Sequence, residues 1–190
     1  MRRALSVLPA LLLVSACFAA QPVKKTEVYL VTGGAFPTGD FNIKYDYGAN
    51  VSAGLGIRAA RFVRIVPKIE IQKFNIDPNA FLDSVSGGDY IAVMTGVDVR
   101  YFRDIEHWPF DPVAVVGAGL AFVSVNQLTV GDIIFNAHSE TKLYLNVGVG
   151  FDMAVTPKVS AYALSRYVHI ASGGDREQFF PISVGIRLPL

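Results

Sequence analysis

Charged side chains recur at alternate positions, most of them between apolar neighbours: Arg58, Arg64, Lys68, Glu70, Asp98, Arg100, Lys142, Asp152, Arg166 and Arg187. Acids and bases gathered on one face of a protein can do two things. They can pass protons or ions along a path, or they can neutralise one another as a buried plug. Charges taken out of water are costly unless paired and hydrogen-bonded, so the pattern predicts a network in which Glu70, Asp98 and Asp152 accept from neighbouring cations. Gly54 to Ala59 (GLGIRA) matches the dinucleotide fingerprint GxGxxA, but that chemistry needs a helix N-terminus behind the glycines. Residues 62–72 alternate instead and contain Pro67, so no cofactor is expected. Pro67 cannot donate to a strand ladder and predicts a bulge or a turn-proximal position. No catalytic, cofactor-binding or metal-ligating residue is predicted.

The elements that must position these groups follow from a period of two. Residues 142–155 place Leu143, Leu145, Val147, Val149, Phe151, Met153 and Val155 on one face and Lys142, Tyr144, Asn146, Gly148, Gly150 and Asp152 on the other. The same alternation runs through residues 26–36, 47–59, 62–74, 89–102, 112–124, 138–155, 158–169 and 179–190, which predicts an all-β chain. Eight strands suffice for a small closed barrel. Long segments (37–46, 75–88, 125–137, 170–178) alternate with tight joints near 60–61 and 156–157, and with a longer joint at 103–111. Short turns at one end and long loops at the other are the arrangement of an antiparallel up-and-down transmembrane β-barrel. His107 then falls at the turn end and His138 and His169 at the loop end, which separates them as ligands.

Orientation of the two faces sets the environment. The polar face mixes charges with Gly54, Gly56, Gly96, Gly117, Gly119, Gly148, Gly150 and Gly185. An eight-stranded interior is only wide enough for side chains to fill it, so small residues beside long ones belong inside. The other face, almost free of charge, would be a large exposed apolar surface in water. In lipid it is at home, and closure of the barrel pairs every backbone group. Aromatics near strand ends predict two interfacial girdles: Phe62, Tyr101, Phe102, Trp108 and Phe110 at the turn side, and Phe36, Tyr47, Phe74, Tyr90, Phe122, Tyr167 and Phe180 at the loop side. The opposite orientation, a soluble calyx around a greasy ligand, is an alternative that partitioning after envelope fractionation separates.

Composition agrees. Of 190 residues 52% are hydrophobic and 17% charged, and the mean hydropathy is +0.38. Yet the longest apolar run after the N-terminus, Val113 to Val123, is too short and too glycine-rich for a membrane helix. Arg2 and Arg3, the apolar stretch Ala4 to Val14 and the small residues Ser15 to Ala20 form an export signal, so residues 1–20 are expected to be removed and 21–190 to form the barrel. Val14 to Cys17 also matches a lipobox, although Cys17 equally fits a small-residue position before an ordinary cut. Cys17 is the single cysteine. Without the leader 15 basic residues face 16 acidic ones, a balance that leaves no basic surplus for nucleic acid.

These residues resemble the eight-stranded outer-membrane β-barrel proteins, the OmpA, OmpX and OmpW-like domains of Gram-negative envelopes. Ser183, Gly185, Leu188 and Leu190 match the spacing of the family's C-terminal assembly signal, with Leu190 where the usual aromatic stands. The resemblance implies location in the cell outer membrane, contact with membrane lipid and lipopolysaccharide, recognition by the barrel-assembly machinery, and a monomer. It implies a structural or surface-interacting, porin-like protein, not an enzyme, with a side-chain-filled lumen and no large pore. Two alternatives stay open within the family. Arg166 to Glu177 is similar to the active strand of outer-membrane lipid A deacylases, which would make His169 the base, Ser172 the nucleophile and Glu177 the orienting acid; here Ile170 and Ala171 separate histidine from serine. The other alternative is a narrow channel for small hydrophobic solutes, as in the OmpW-like group. Asp77, Asp83, Asp89, Asp175 and Glu177 are candidates to meet divalent ions or lipopolysaccharide from the loops.

Overall fold

The structure, a computed structural model, describes residues 26–80, 85–103, 105, 108–156, 158–171 and 176–190. The expected export signal lies outside them. Eight long strands follow one another as β1 (Thr26–Thr38), β2 (Tyr45–Arg58), β3 (Val63–Ile76), β5 (Tyr90–Phe102), β6 (Asp111–Val125), β9 (His138–Thr156), β10 (Val159–Ala171) and β11 (Glu177–Pro189). They close in the order β1-β11-β10-β9-β6-β5-β3-β2, every pair antiparallel. First and last strands meet in a continuous register from Glu27↔Pro189 to Thr38↔Gln178, so the sheet has no free edge.

Alternation fixes the faces. Leu145, Val147 and Val149 on β9 and Ile182 and Val184 on β11 are more than half exposed, whereas Glu70 and Asp98 are completely buried. The apolar side is therefore the outside, and the soluble-calyx alternative is excluded. Among the described residues no helix is long and apolar enough to cross a membrane; crossing is by strands.

Glycines let the inner wall accept its large residues. A Cβ at Gly117 would run into Asp98 Oδ1 and Asn146 Nδ2, and one at Gly119 into the Tyr144 ring and the Thr95 carbonyl.

Pro67 departs from expectation. It sits mid-strand on the outer face, paired to Val97 of β5. On the β2 side the bridges pass from Gly54↔Lys68 to Ile57↔Ile65 with the register unchanged. The missing donor is absorbed by a local gap in one ladder, without a bulge.

The long connections carry structure of their own. Between β1 and β2 a single helical turn, α1 (Phe41–Lys44), drops the Phe41 side chain into the barrel mouth. Three short strands, β4 (Val85–Gly87), β7 (Leu128–Val130) and β8 (Ile133–Phe135), pair as a separate sheet in the order β4-β7-β8. The β7–β8 hairpin turns at Gly131–Asp132 with Gly131 at φ +56°, a conformation that glycine reaches without steric cost.

Candidate functional site

The lumen is built in layers, and the alternating residues of each strand assign the layers in order. At the short-turn rim Glu27 accepts from the Tyr29 hydroxyl (2.9 Å) and pairs with Arg64 (2.8 Å) and Arg187 (3.0 Å). Arg187 also grips Asp152 with Nε (3.0 Å) and a terminal nitrogen (2.7 Å). Above lies an apolar and aromatic layer of Tyr29, Val31, Val66, Phe102, Val113, Val115, Tyr162 and Leu164. Arg100 stacks over the rings of Tyr29 (4.4 Å) and Tyr162 (5.6 Å).

At mid-height stands an ionic centre. Arg166 donates to both oxygens of Glu70, one of them at 2.8 Å. Lys68 bridges Glu70 (3.0 Å) and Asp98 (3.2 Å). Asn146 donates to Asp98 (3.1 Å), whose other cation is Arg100 (3.5 Å). Two acids facing three bases in a space closed to water are strong only as a complete set, because each member removed leaves an uncompensated charge.

A second apolar layer seals the loop end, with Phe41, Tyr45, Phe74, Tyr90, Met94, Tyr144, Val168, Ile170 and Phe179 among its members. Phe41 meets Phe74 and Tyr90 edge-on at 5.1 and 5.0 Å, the packing that ring quadrupoles favour. At its edge Glu177 accepts from the Tyr90 hydroxyl (2.7 Å) and pairs with Lys142 (2.8 Å). The exposed Glu140 carboxylate also pairs with Lys142 (3.0 Å).

The expected acceptors Glu70, Asp98 and Asp152 thus all take cations. Glu27 is absent from the expected acceptors, although it holds three arginines counting Arg58 at 3.8 Å; the inward residues that follow it on β1, Tyr29 and Val31, give that face no charged pattern. Phe74, Tyr90 and Phe102 are corrections to the girdles: position near a strand end was right, but their parity turns them inward, and all three are buried. Phe36, Tyr47, Tyr101, Trp108, Phe110, Phe122 and Phe180 face outward.

His169 and Glu177 are not brought together. His169 faces outward on β10 beside Gln178 (Nδ1 to Nε2, 3.3 Å), while Glu177 faces the lumen; Ser172 lies outside the described residues, as does His107. His138 stands near Glu140 (3.7 Å), apart from His169. Of the loop acids, Glu177 is buried, Asp89 pairs with Lys73 (3.0 Å) and Asp77 is engaged, whereas Asp83 and Asp175 lie outside the described residues. No group of three metal-ligating side chains occurs among the described residues.

This closed antiparallel barrel, apolar outside and ionic within, is matched over residues 8–187 by the family model for the outer membrane protein beta-barrel domain. The chain belongs to that family. It is an outer-membrane β-barrel protein of the Gram-negative type. Comparison with curated proteins gives no match. Among solved structures it is similar to Neisserial surface protein A, with 19% identity, a TM-score of 0.64, and coverage of 87% of this chain and 97% of that one. It is also similar to Ail, the attachment invasion locus protein of Yersinia pestis (12% identity, TM-score 0.57, 89% and 100% covered). A major outer membrane protein from Thermus thermophilus is a third (12% identity, TM-score 0.58, 87% and 99% covered). At these identities the likeness is one of fold. In an outer-membrane barrel the exposed apolar belt faces acyl chains, and the layered lumen is the protein's core.

Proposed function

We propose that this outer-membrane barrel is a structural or surface-interacting protein with a closed lumen, whose contacts are made by its loops. The observation that carries the reading is the pair of apolar layers enclosing the ionic centre. Phe41, Phe74, Tyr90 and Phe179 are each buried at the loop end, where a conducting barrel would need an opening. The loops support a surface role, since segments 85–87 and 128–135 are spent on a small sheet that leaves Ile133, Ile134 and Phe135 more than half exposed. An organised loop surface of that kind suits recognition of another surface. Ail, similar in fold, is named an attachment invasion locus protein.

On this reading the protein is a monomer in contact with membrane lipid and lipopolysaccharide. Ser183, Gly185, Leu188 and Leu190 present β11 to the barrel-assembly machinery during biogenesis. Planar bilayers test the lumen: the folded protein is expected to stay silent, and discrete conductance steps would contradict the closed interior. Replacing Ile133, Ile134 and Phe135 by serine is expected to lower adherence of cells displaying the protein while folding is kept; unchanged adherence would contradict the loop reading. Incubation with lipopolysaccharide is expected to release no fatty acid, and release would replace this function with a hydrolase.

A further inference from the structure

Three arginines stand side by side in register across neighbouring strands: Arg58 is the cross-strand partner of Arg64, and Arg64 of Arg100. Like charges directly opposite one another destabilise a sheet, so each needs a counter-charge. Arg100 has Asp98 at 3.5 Å and two tyrosine rings. Arg64 has Glu27 at 2.8 Å and lies over the Phe102 ring at 3.8 Å. Arg58 comes last and reaches the same Glu27 only at 3.8 Å, and that carboxylate already serves Arg187. Its Nε is enclosed and has no hydrogen-bond acceptor among the described residues.

Next to it, on the β2–β3 turn, Arg61 is exposed and stacks on Phe62 at 4.8 Å. Arg58, Arg61 and Arg64, with Phe62, Phe102 and Asp111, line a cavity of about 250 Å³ that opens at the short-turn mouth. Asp111, on the same wall, has a partner of its own. With three guanidinium groups to one carboxylate in its lining, the cavity carries a cationic excess, is partly walled by rings, and contains a donor without an acceptor. Short turns mark the periplasmic end of such barrels, and the outer neighbours Phe62 and Tyr101, in ring contact at 6.3 Å, belong to the aromatic belt there.

We propose that this periplasmic mouth is a binding site for a phosphate-class oxyanion, held between Arg58 and Arg61 against Arg64. Guanidinium groups match such ligands through paired N–H donors. The anion completes the arginine row as Glu27 does for Arg64 at the rim and Asp98 for Arg100 deeper in the lumen. The same chemistry has two sources, free phosphate from the periplasm or the phosphodiester of an anionic phospholipid in the inner leaflet.

The test uses the folded protein in zwitterionic detergent, with two probes. Inorganic phosphate is titrated calorimetrically, and phosphatidylglycerol retention against phosphatidylcholine is read by native mass spectrometry. R58Q/R61Q is compared with wild type and with K158Q, which removes a charge from another turn at the same rim. Saturable phosphate binding weakened about tenfold in R58Q/R61Q, with K158Q unchanged, supports a free oxyanion. Selective retention of phosphatidylglycerol lost in R58Q/R61Q, without phosphate binding, supports a lipid head group. Binding of neither probe, or equal losses in R58Q/R61Q and K158Q, overturns the site. If the double variant does not fold, R61Q alone, on the exposed turn, is expected to weaken whichever probe binds, and no effect there also overturns it.

Discussion

Replacing Glu70 by alanine probes the ionic centre directly. The carboxylate is fully buried, receives both arms of the Arg166 guanidinium and binds Lys68 at 3.0 Å. Lys68 keeps Asp98 at 3.2 Å when Glu70 is lost, but Arg166 keeps no carboxylate at bonding distance among the described residues. Breaking one side of a buried pair costs about 3–5 kcal/mol, whereas a pair bathed in water contributes about 0–1 kcal/mol. The E70A barrel is therefore expected to lose about 3–5 kcal/mol, a drop of roughly 2 M in urea midpoint for an m-value near 2 kcal/mol/M. Urea unfolding in lipid vesicles, followed by the fluorescence of Trp108, the single tryptophan, measures it. E70M/R166M removes both partners and fills their volume, so it is expected to recover most of the loss. If E70A costs under about 1 kcal/mol, or if the double variant is no better than the single, the lumen is wet and the reasoning from a dry centre fails.

Three further outcomes follow from the same geometry. V149R, on the lipid face of β9, is expected to cost about 2–4 kcal/mol in the same unfolding assay, the penalty for arginine near the bilayer midplane. G117V pushes a side chain into Asp98 and Asn146 and is expected to cost about 2–3 kcal/mol by overpacking, whereas G39A, on the loop where a Cβ meets only Gln178 at 3.5 Å, carries mainly the cost of its φ of +60°. F41A removes a buried ring from the outer seal and is expected to lose about 3 kcal/mol, with faster proteolysis between Gly39 and Lys44 as an independent reading.

The sequence made the barrel legible because its signal is repeated. Eight segments of period two, with one face greasy and the other charged or glycine-bearing, left the strand ends within a few residues of where they are found. The same parity placed Glu70, Asp98 and Arg166 inside. It could not show which cation meets which acid, since Arg166 reaches Glu70 across the lumen from a distant strand, while Lys68 and Arg100 could equally have turned to either acid beside them. Phe74, Tyr90 and Phe102 were misplaced for a related reason: an aromatic near a strand end suggests an interface, but its odd or even position decides whether it looks outward. The seals of the lumen were also hidden, because Met94, Val113, Val115 and Val123 are apolar residues on the inward face and mimic no polar pattern. Elements of three or four residues, such as α1 and the β4-β7-β8 sheet, are shorter than any period, and the β4–β7 pairing joins loops distant in sequence.

Single-cysteine labelling along β9 tests the central orientation most directly, since the protein refolded without residues 1–20 has no cysteine of its own. Nitroxides placed at Leu143, Leu145, Val147, Val149 and Phe151 in bilayers are expected to relax readily with lipid-soluble oxygen and hardly at all with a water-soluble nickel chelate, while Tyr144, Asn146 and Gly148 accept label poorly. Nickel-sensitive labels at Leu145, Val147 and Val149 would place that face in water and contradict the account.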